Sequence, residues 1–180
     1  MMTKKKCGAI ILAAGSGTRM KQDVPKQFLT LAVCPLLLHS LRVFAGEVDE
    51  MVLVTGEAYI GTCRELIQKE ALPVPVSVAA GGKERYDSVR NGLCALKTVG
   101  FAEDGIVLIH DGARPLVNGE INARAVDGVR EFSACVASMP VKDTIKAADA
   151  EGFSASTPDR STLWQIQTPQ AFRFGLIYRA

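Results

Sequence analysis

Ala9-Ile10-Ile11-Leu12-Ala13-Ala14-Gly15-Ser16-Gly17-Thr18-Arg19-Met20, followed by Pro25-Lys26-Gln27-Phe28, decides how the rest of this chain is read. An apolar run too short for a helix ends in a small, glycine-bearing loop. The loop carries Arg19, and Lys26 follows seven residues later. Backbone N–H groups of such a loop can crowd around phosphate oxygens while two cations neutralise their charge. The stretch therefore reads as a strand opening onto a nucleoside-triphosphate site. A strand-to-helix connection without chemistry is the plainer alternative.

Two familiar phosphate-binding motifs fail on spacing. A dinucleotide fingerprint beginning at Gly15 requires glycine or alanine at position 20, which is Met20, and an acid near the end of the second strand, where Thr55-Gly56 stands. A P-loop beginning at Gly15 requires Gly-Lys-Ser/Thr from position 20, but the sequence runs Met20-Lys21-Gln22. Nicotinamide chemistry and P-loop hydrolysis both lose their main support.

Outward from that loop, short apolar runs alternate with helical periodicity. Strands are predicted at Gly8–Leu12, Met51–Thr55, Val74–Ala79, Ile106–Ile109 and Ala134–Met139. Helices are predicted at Pro35–Ala45, Glu57–Glu70, Glu84–Lys97 and Asn118–Glu131, and another begins near Gln170. Ile60, Cys63, Leu66 and Ile67 share one face at the spacing of an amphipathic helix. Continuous apolar strands between helices imply an α/β fold: a single doubly wound, Rossmann-like, mostly parallel sheet flanked by helices. Ligands of such sheets bind beyond the carboxyl ends of the strands. The glycine loop, Gly81-Gly82 and Asp111-Gly112 each follow a predicted strand and should line one crevice. The pattern breaks at about 141–161, where Lys142–Lys146 and Phe153–Thr157 read as two strands around a polar turn. Such a protruding β-hairpin arm is marginal alone in water and should pack on something, a second subunit being the candidate. A surface loop is the alternative.

The chain of 180 residues suits one domain, 1–180. Its apolar content of 48% and charged content of 22% are ordinary for a globular chain. A formal charge of +2 argues against a nucleic-acid partner. No stretch reaches the ~18 uninterrupted apolar residues of a membrane helix, and the N-terminus has no signal-peptide core. Cys7, Cys34, Cys63, Cys94 and Cys135 are odd in number and contain no C-x-x-C, so reduced, buried thiols in a cytoplasmic protein are expected. With only His39 and His110 available, a zinc site is improbable. His39 reads as structural; His110 ends a strand beside a candidate site.

Three motifs carry chemistry on one predicted edge. In Gly81-Gly82-Lys83-Glu84-Arg85-Tyr86-Asp87-Ser88-Val89-Arg90, the glycines permit close approach to a flat base and Ser88 can read a polar edge; a bare turn is the alternative. His110-Asp111-Gly112-Ala113-Arg114-Pro115 puts an acid and an arginine at a strand end. Asp111 suits Mg²⁺, which takes one or two carboxylates plus substrate phosphates. A helix cap and a surface ion pair remain open there.

Taken with Pro140-Val141-Lys142-Asp143-Thr144-Ile145-Lys146, Asp159-Arg160, Leu163-Trp164 and Gln167-Thr168-Pro169-Gln170, these motifs resemble the 2-C-methyl-D-erythritol 4-phosphate cytidylyltransferases of the non-mevalonate isoprenoid pathway. The resemblance covers nearly the whole chain. It implies transfer of CMP from CTP to methylerythritol 4-phosphate, with release of pyrophosphate and with Mg²⁺ or another divalent cation. Arg19 and Lys26 would meet the transition state and the leaving pyrophosphate. Ala13, Ala14, Gly15, Ser16 and Gly17 would border the nucleotide, joined by Gly82, Ser88 and Gly112. Asp111 would bind the metal, and Asp111, Arg114, Thr144, Arg160 and Thr168 would surround the polyol phosphate. The arm would reach a partner subunit in a homodimer, so Thr144 and Arg160 would complete the neighbour's site.

The chain departs from the family pattern in three places. Family members run roughly fifty residues further, with a later lysine that touches both substrates, so a C-terminally incomplete domain is expected. Ala32-Val33-Cys34 replaces a polar, usually glycine-containing turn, and Lys83 stands where an acid is common. Two other functions compete: a ribitol 5-phosphate cytidylyltransferase, with similar nucleotide motifs, and a non-catalytic nucleotide-binding module.

Overall fold

Ala9, Ile10 and Ile11 are completely shielded from solvent, because β1 (Cys7–Ala13) is flanked by a parallel strand on each side. Its neighbours are β4 (Glu50–Thr55) and β6 (Ile106–Asp111). A central strand covered on both faces needs apolar side chains on both, which is why the run shows no alternation. The computed structural model describes residues 6–15 and 24–180. Among these, the main sheet has the order β5-β4-β1-β6-β10-β7, with β5 at Val76–Ala80, β7 at Ala134–Pro140 and β10 at Trp164–Arg173. β5, β4, β1 and β6 run parallel, while β10 is antiparallel to both β6 and β7. The expected mostly parallel α/β sheet is present.

Helices cover both faces. Leu37, Leu41 and Phe44 of α1 (Leu36–Ala45) pack with Ile11 and Leu108. Cys63 of α2 (Ile60–Glu70) and Ala125 and Val129 of α4 (Gly119–Phe132) join the same core. On the opposite face, Leu93 and Leu96 of α3 (Arg85–Thr98) meet Ile10, Val107 and Ile109. Successive strand residues point to opposite faces, so adjacent residues of β1 and β6 feed two separate cores. Burying one such isoleucine contributes about 1.5–3 kcal/mol. The helix starts follow local chemistry. Asn118 Oδ1 accepts from the Ile121 N–H (3.0 Å), and Glu84 with Asp87 forms a reciprocal capping box ahead of α3.

The C-terminal part corrects the sequence reading. Gln170 does not begin a helix; it lies within β10, and helix resumes only at α5 (Phe174–Arg179). The Gln-rich stretch is recruited by pairing with β6 and β7 rather than by its own apolar pattern. The arm contains a small antiparallel pair, but Lys142–Lys146 is not its first strand. The pair is β8 (Ala147–Ala148) with β9 (Ser154–Ser156), every residue exposed. A second small ladder joins β2 (Thr30–Leu31) to β3 (Cys34–Pro35), and Ala32 in its turn takes φ 58°. None of the five cysteines is in a disulfide. Cys7, Cys34 and Cys63 are buried as expected, but Cys135 is half-buried and Cys94 exposed. Cys94 lies on the solvent side of α3. His39 is structural, its Nε2 within 3.1 Å of the Leu31 carbonyl and 3.3 Å of Cys34 Sγ.

Candidate active site

Parallel strands finish at one edge, and β1, β4, β5 and β6 end there with Ala13, Thr55, Ala80 and Asp111. The loops that follow are drawn together. The Gly81 N–H donates to Thr55 O (2.7 Å), and a Cβ at Gly81 would overlap that of Ala14. Glycine is therefore required where the diglycine segment crosses β4 to meet the first loop. Gln27 joins the two halves of the opening motif. It is 3% exposed, and its Nε2 donates to the carbonyls of Ala13 (2.6 Å) and Gly15 (3.1 Å). In a trans peptide the N–H points opposite to the carbonyl. Drawing the Ala13 carbonyl onto Gln27 therefore turns the Ala14 N–H away from Gln27. The same contact brings Lys26, half-buried in the short 3-10 turn Lys26–Phe28, next to the loop.

Ser88 is 5% exposed, and its hydroxyl is engaged locally. It accepts from the Gly82 N–H (3.1 Å) and donates to the Glu84 carbonyl (3.3 Å). The serine thus holds the diglycine turn in place. Gly112 is similarly structural: its N–H donates to Leu12 O (2.8 Å), and a Cβ there would press on Leu37.

Asp111 is the hub of the edge. Arg114 Nε donates to its Oδ2 (3.0 Å) and Arg85 Nη2 to its Oδ1 (3.3 Å). The arginines are tethered in turn. Arg114 Nη1 donates to Gln167 Oε1 (2.5 Å) and Arg85 Nη2 to Gln170 Oε1 (3.1 Å). Two guanidiniums and one carboxylate leave this cluster net positive. The pairs are solvated, with side-chain exposures of 33% for Asp111 and about half for each arginine. Such pairs are worth only about 0–1 kcal/mol, so an incoming anion can take over the arginines at small cost.

Behind Asp111, His110 is fully buried, its ring 5.0 Å from that of Phe44. Nε2 lies 3.1 Å from the Arg114 carbonyl and Nδ1 3.0 Å from Thr168 Oγ1. Burial lowers the His110 pKa from its ordinary 6.5 to about 4, outweighing the Arg114 carbonyl and the Asp111 charge, both of which raise it. The ring is neutral at physiological pH. Thr168, Gln167, Arg114 and His110 line part of a cavity of about 820 Å³ that continues over apolar residues of α4 and β7.

Ala13, Ala14, Gly15, Lys26, Gly82, Ser88, Asp111, Gly112, Arg114 and Thr168 therefore gather at one edge. Ser16, Gly17 and Arg19 lie outside the described residues. Thr144 and Arg160 are exposed on the arm, where Arg160 Nη1 donates to Lys142 O (2.9 Å). Among the described residues no hydrogen bond or ion pair links either to the Asp111 cluster. Sequence reasoning assigned no role to Gln27, Arg85, Gln167 or Gln170. Each was inside a quoted motif, but no spacing signal distinguishes a clamp from a surface amide.

A cationic edge of this kind on a doubly wound sheet marks an α/β protein that handles nucleotides. The family model for 2-C-methyl-D-erythritol 4-phosphate cytidylyltransferase matches residues 7–180. The chain belongs to that family. It is 46% identical over 174 residues to the protein of that name from Lachnospira eligens, with 96% of this chain and 74% of the relative covered. Identity is again 46%, over 171 residues, with the relative from Syntrophotalea carbinolica, covering 93% of this chain and 72% of that one. In three dimensions it is similar to the 4-diphosphocytidyl-2C-methyl-D-erythritol synthase of Anaerococcus prevotii. That match has a TM-score of 0.82 and 30% identity over 97% of this chain and 74% of the other.

Proposed function

We propose that this chain transfers CMP from CTP to 2-C-methyl-D-erythritol 4-phosphate. The family match carries the reading, and the convergence of Lys26, Arg85 and Arg114 with the Ala13–Gly15 backbone on one sheet edge supports it. A phosphate oxygen of the polyol substrate attacks the α-phosphorus of CTP. The bond from that phosphorus to the bridging oxygen breaks, and pyrophosphate departs on the opposite side with the electron pair. The attacking group is already an anion, so no protein nucleophile or general base is needed. Catalysis then rests on positioning and on cations placed where negative charge accumulates. In this reading Lys26 and Arg19 meet that charge, and the backbone of Ala13 to Gly17, with Gly82, Ser88 and Gly112, borders the nucleotide. Arg114 and Thr168 receive the polyol phosphate.

The residues present fit a divalent cation. Asp111 is a hard oxygen donor, one-third exposed at the strand end. Among the described residues no group of three or more His, Cys, Asp and Glu could hold an ion by itself, as suits Mg²⁺ shared with substrate phosphates. Bound there, the ion would neutralise triphosphate charge beside Asp111. The exposed strands of the arm support a homodimer in which Thr144 and Arg160 complete the neighbouring site. Five cysteines without a disulfide support a reducing, cytoplasmic setting; among the described residues no helix is long and apolar enough to cross a membrane.

Incubation with CTP, Mg²⁺ and methylerythritol 4-phosphate should release pyrophosphate and the cytidine-diphosphate product. Product formed only from ribitol 5-phosphate would move the chain to the other substrate. Nucleotide binding without turnover of either would leave a binding module.

A further inference from the structure

His110 has no place in the chemistry above, yet it is fully buried at the edge of the site with both ring nitrogens engaged. The direction of each hydrogen bond follows from its partners. A backbone carbonyl only accepts, so the Arg114 carbonyl requires a proton on Nε2. That carbonyl is held from a second side by Ser40 Oγ (3.3 Å). The ring lies against Phe44, and among the described residues its hydrogen-bond partners are the Arg114 carbonyl and Thr168 rather than a carboxylate, so an imidazolium there would be costly. Nδ1 is then a bare acceptor, and the Thr168 hydroxyl must donate to it across 3.0 Å. The Asp111 N–H, which only donates, takes one lone pair of the same Oγ1 (3.3 Å). A hydroxyl has one hydrogen and two lone pairs. Thr168 has spent its hydrogen and one lone pair inside the protein, and a single lone pair remains on a half-buried residue at the cavity wall.

We propose that His110 is a positioning and specificity residue: it polarises Thr168 so that the threonine offers substrate only an acceptor, selecting a hydroxyl group of the polyol rather than a phosphate oxygen. A phosphate dianion carries no hydrogen to give and would face a lone pair. A polyol hydroxyl donates to it. The relay also ties the Thr168 side of β10 to the Asp111 side of β6, so the hydroxyl subsite and the Asp111 cluster are held in one frame. The substrate half of this inference rests on the cytidylyl-transfer reading; the polarity of Thr168 does not.

Two amide substitutions separate the two ends of the ring. In His110→Asn the side-chain oxygen can occupy the Nδ1 position and still accept from Thr168. In His110→Gln the amide can reach the Arg114 carbonyl, but nothing faces Thr168. Loss of one hydrogen bond corresponds to about tenfold. H110Q should raise KM for the polyol phosphate by that factor with KM for CTP unchanged. H110N should stay near the parent value, although both variants lose thermal stability. Thr168→Val should match H110Q, and the double variant should add nothing. Equal KM changes in H110N and H110Q, or a change shared with CTP, would overturn the proposal. The ring's ¹⁵N signals give a readout that needs no substrate. They should show the Nε2–H tautomer at pH 7.5, with Nδ1 shifting in T168V; an Nδ1–H tautomer or an insensitive Nδ1 would sink it. Should the parent protein not turn over CTP, the functional reading fails while the imidazole spectrum still decides the relay.

Discussion

The parallel half of the sheet and the arm solve opposite problems. β1, β4 and β6 bury nearly every side chain, and their carboxyl ends inherit that rigidity. The arm strands are two and three residues long and wholly exposed. A site built on the first region is placed by a core, whereas a residue on the second is placed by whatever the arm packs against. The difference predicts where stability and activity separate.

The hardest test falls on the core. Ile10→Ala should cost about 2–5 kcal/mol, read from the denaturant midpoint; a loss below 1 kcal/mol would mean that β1 does not carry the frame. At the carboxyl edge of the sheet, Lys26→Ala should lower kcat by ~10²–10³, as loss of one transition-state contact does, with almost no change in melting temperature. Unchanged turnover would remove Lys26 from the mechanism. On the arm, Arg160→Ala should raise KM for the polyol phosphate about tenfold while stability moves by less than about 0.5 kcal/mol. In mixed dimers the raised KM should belong to the site of the neighbour. The smallest effect concerns Ala32, whose left-handed φ of 58° is strained for a residue with a Cβ. Ala32→Gly should stabilise by about 1 kcal/mol, checked by thermal melting, with kinetics unchanged.

The same contrast explains what could be read from residues alone. β1 and β4 were legible because their unbroken apolar runs are too short for helices and each ends at a glycine-bearing segment. α3 and α4 were legible because Val89, Leu93 and Leu96, and Ile121, Ala125 and Val129, recur at the spacing of one helix face. The meeting of the glycine loop with Gly81 and Asp111 followed from one rule about parallel strands. β10 was not legible: Gln165, Gln167 and Gln170 interrupt any apolar run, only Pro169 and Ala171 of the strand are buried, and the pattern resembles a helix start as much as a strand. Gln27 could not be told from a surface glutamine, since its role depends on carbonyls twelve and fourteen residues away.

The amino-acid order by itself determined which segments are strands in the parallel half and which loops gather at their carboxyl edge. Those properties depend on short-range apolar patterning and on the common strand direction of a parallel sheet, which puts the carboxyl ends on one edge. Tertiary structure alone decided that β10 runs antiparallel between β6 and β7, that Ser88 and Gly112 shape the edge from within, and that His110 sets the polarity of Thr168. Each depends on partners distant in sequence, and a hydrogen bond has a direction only once both of its ends are in place.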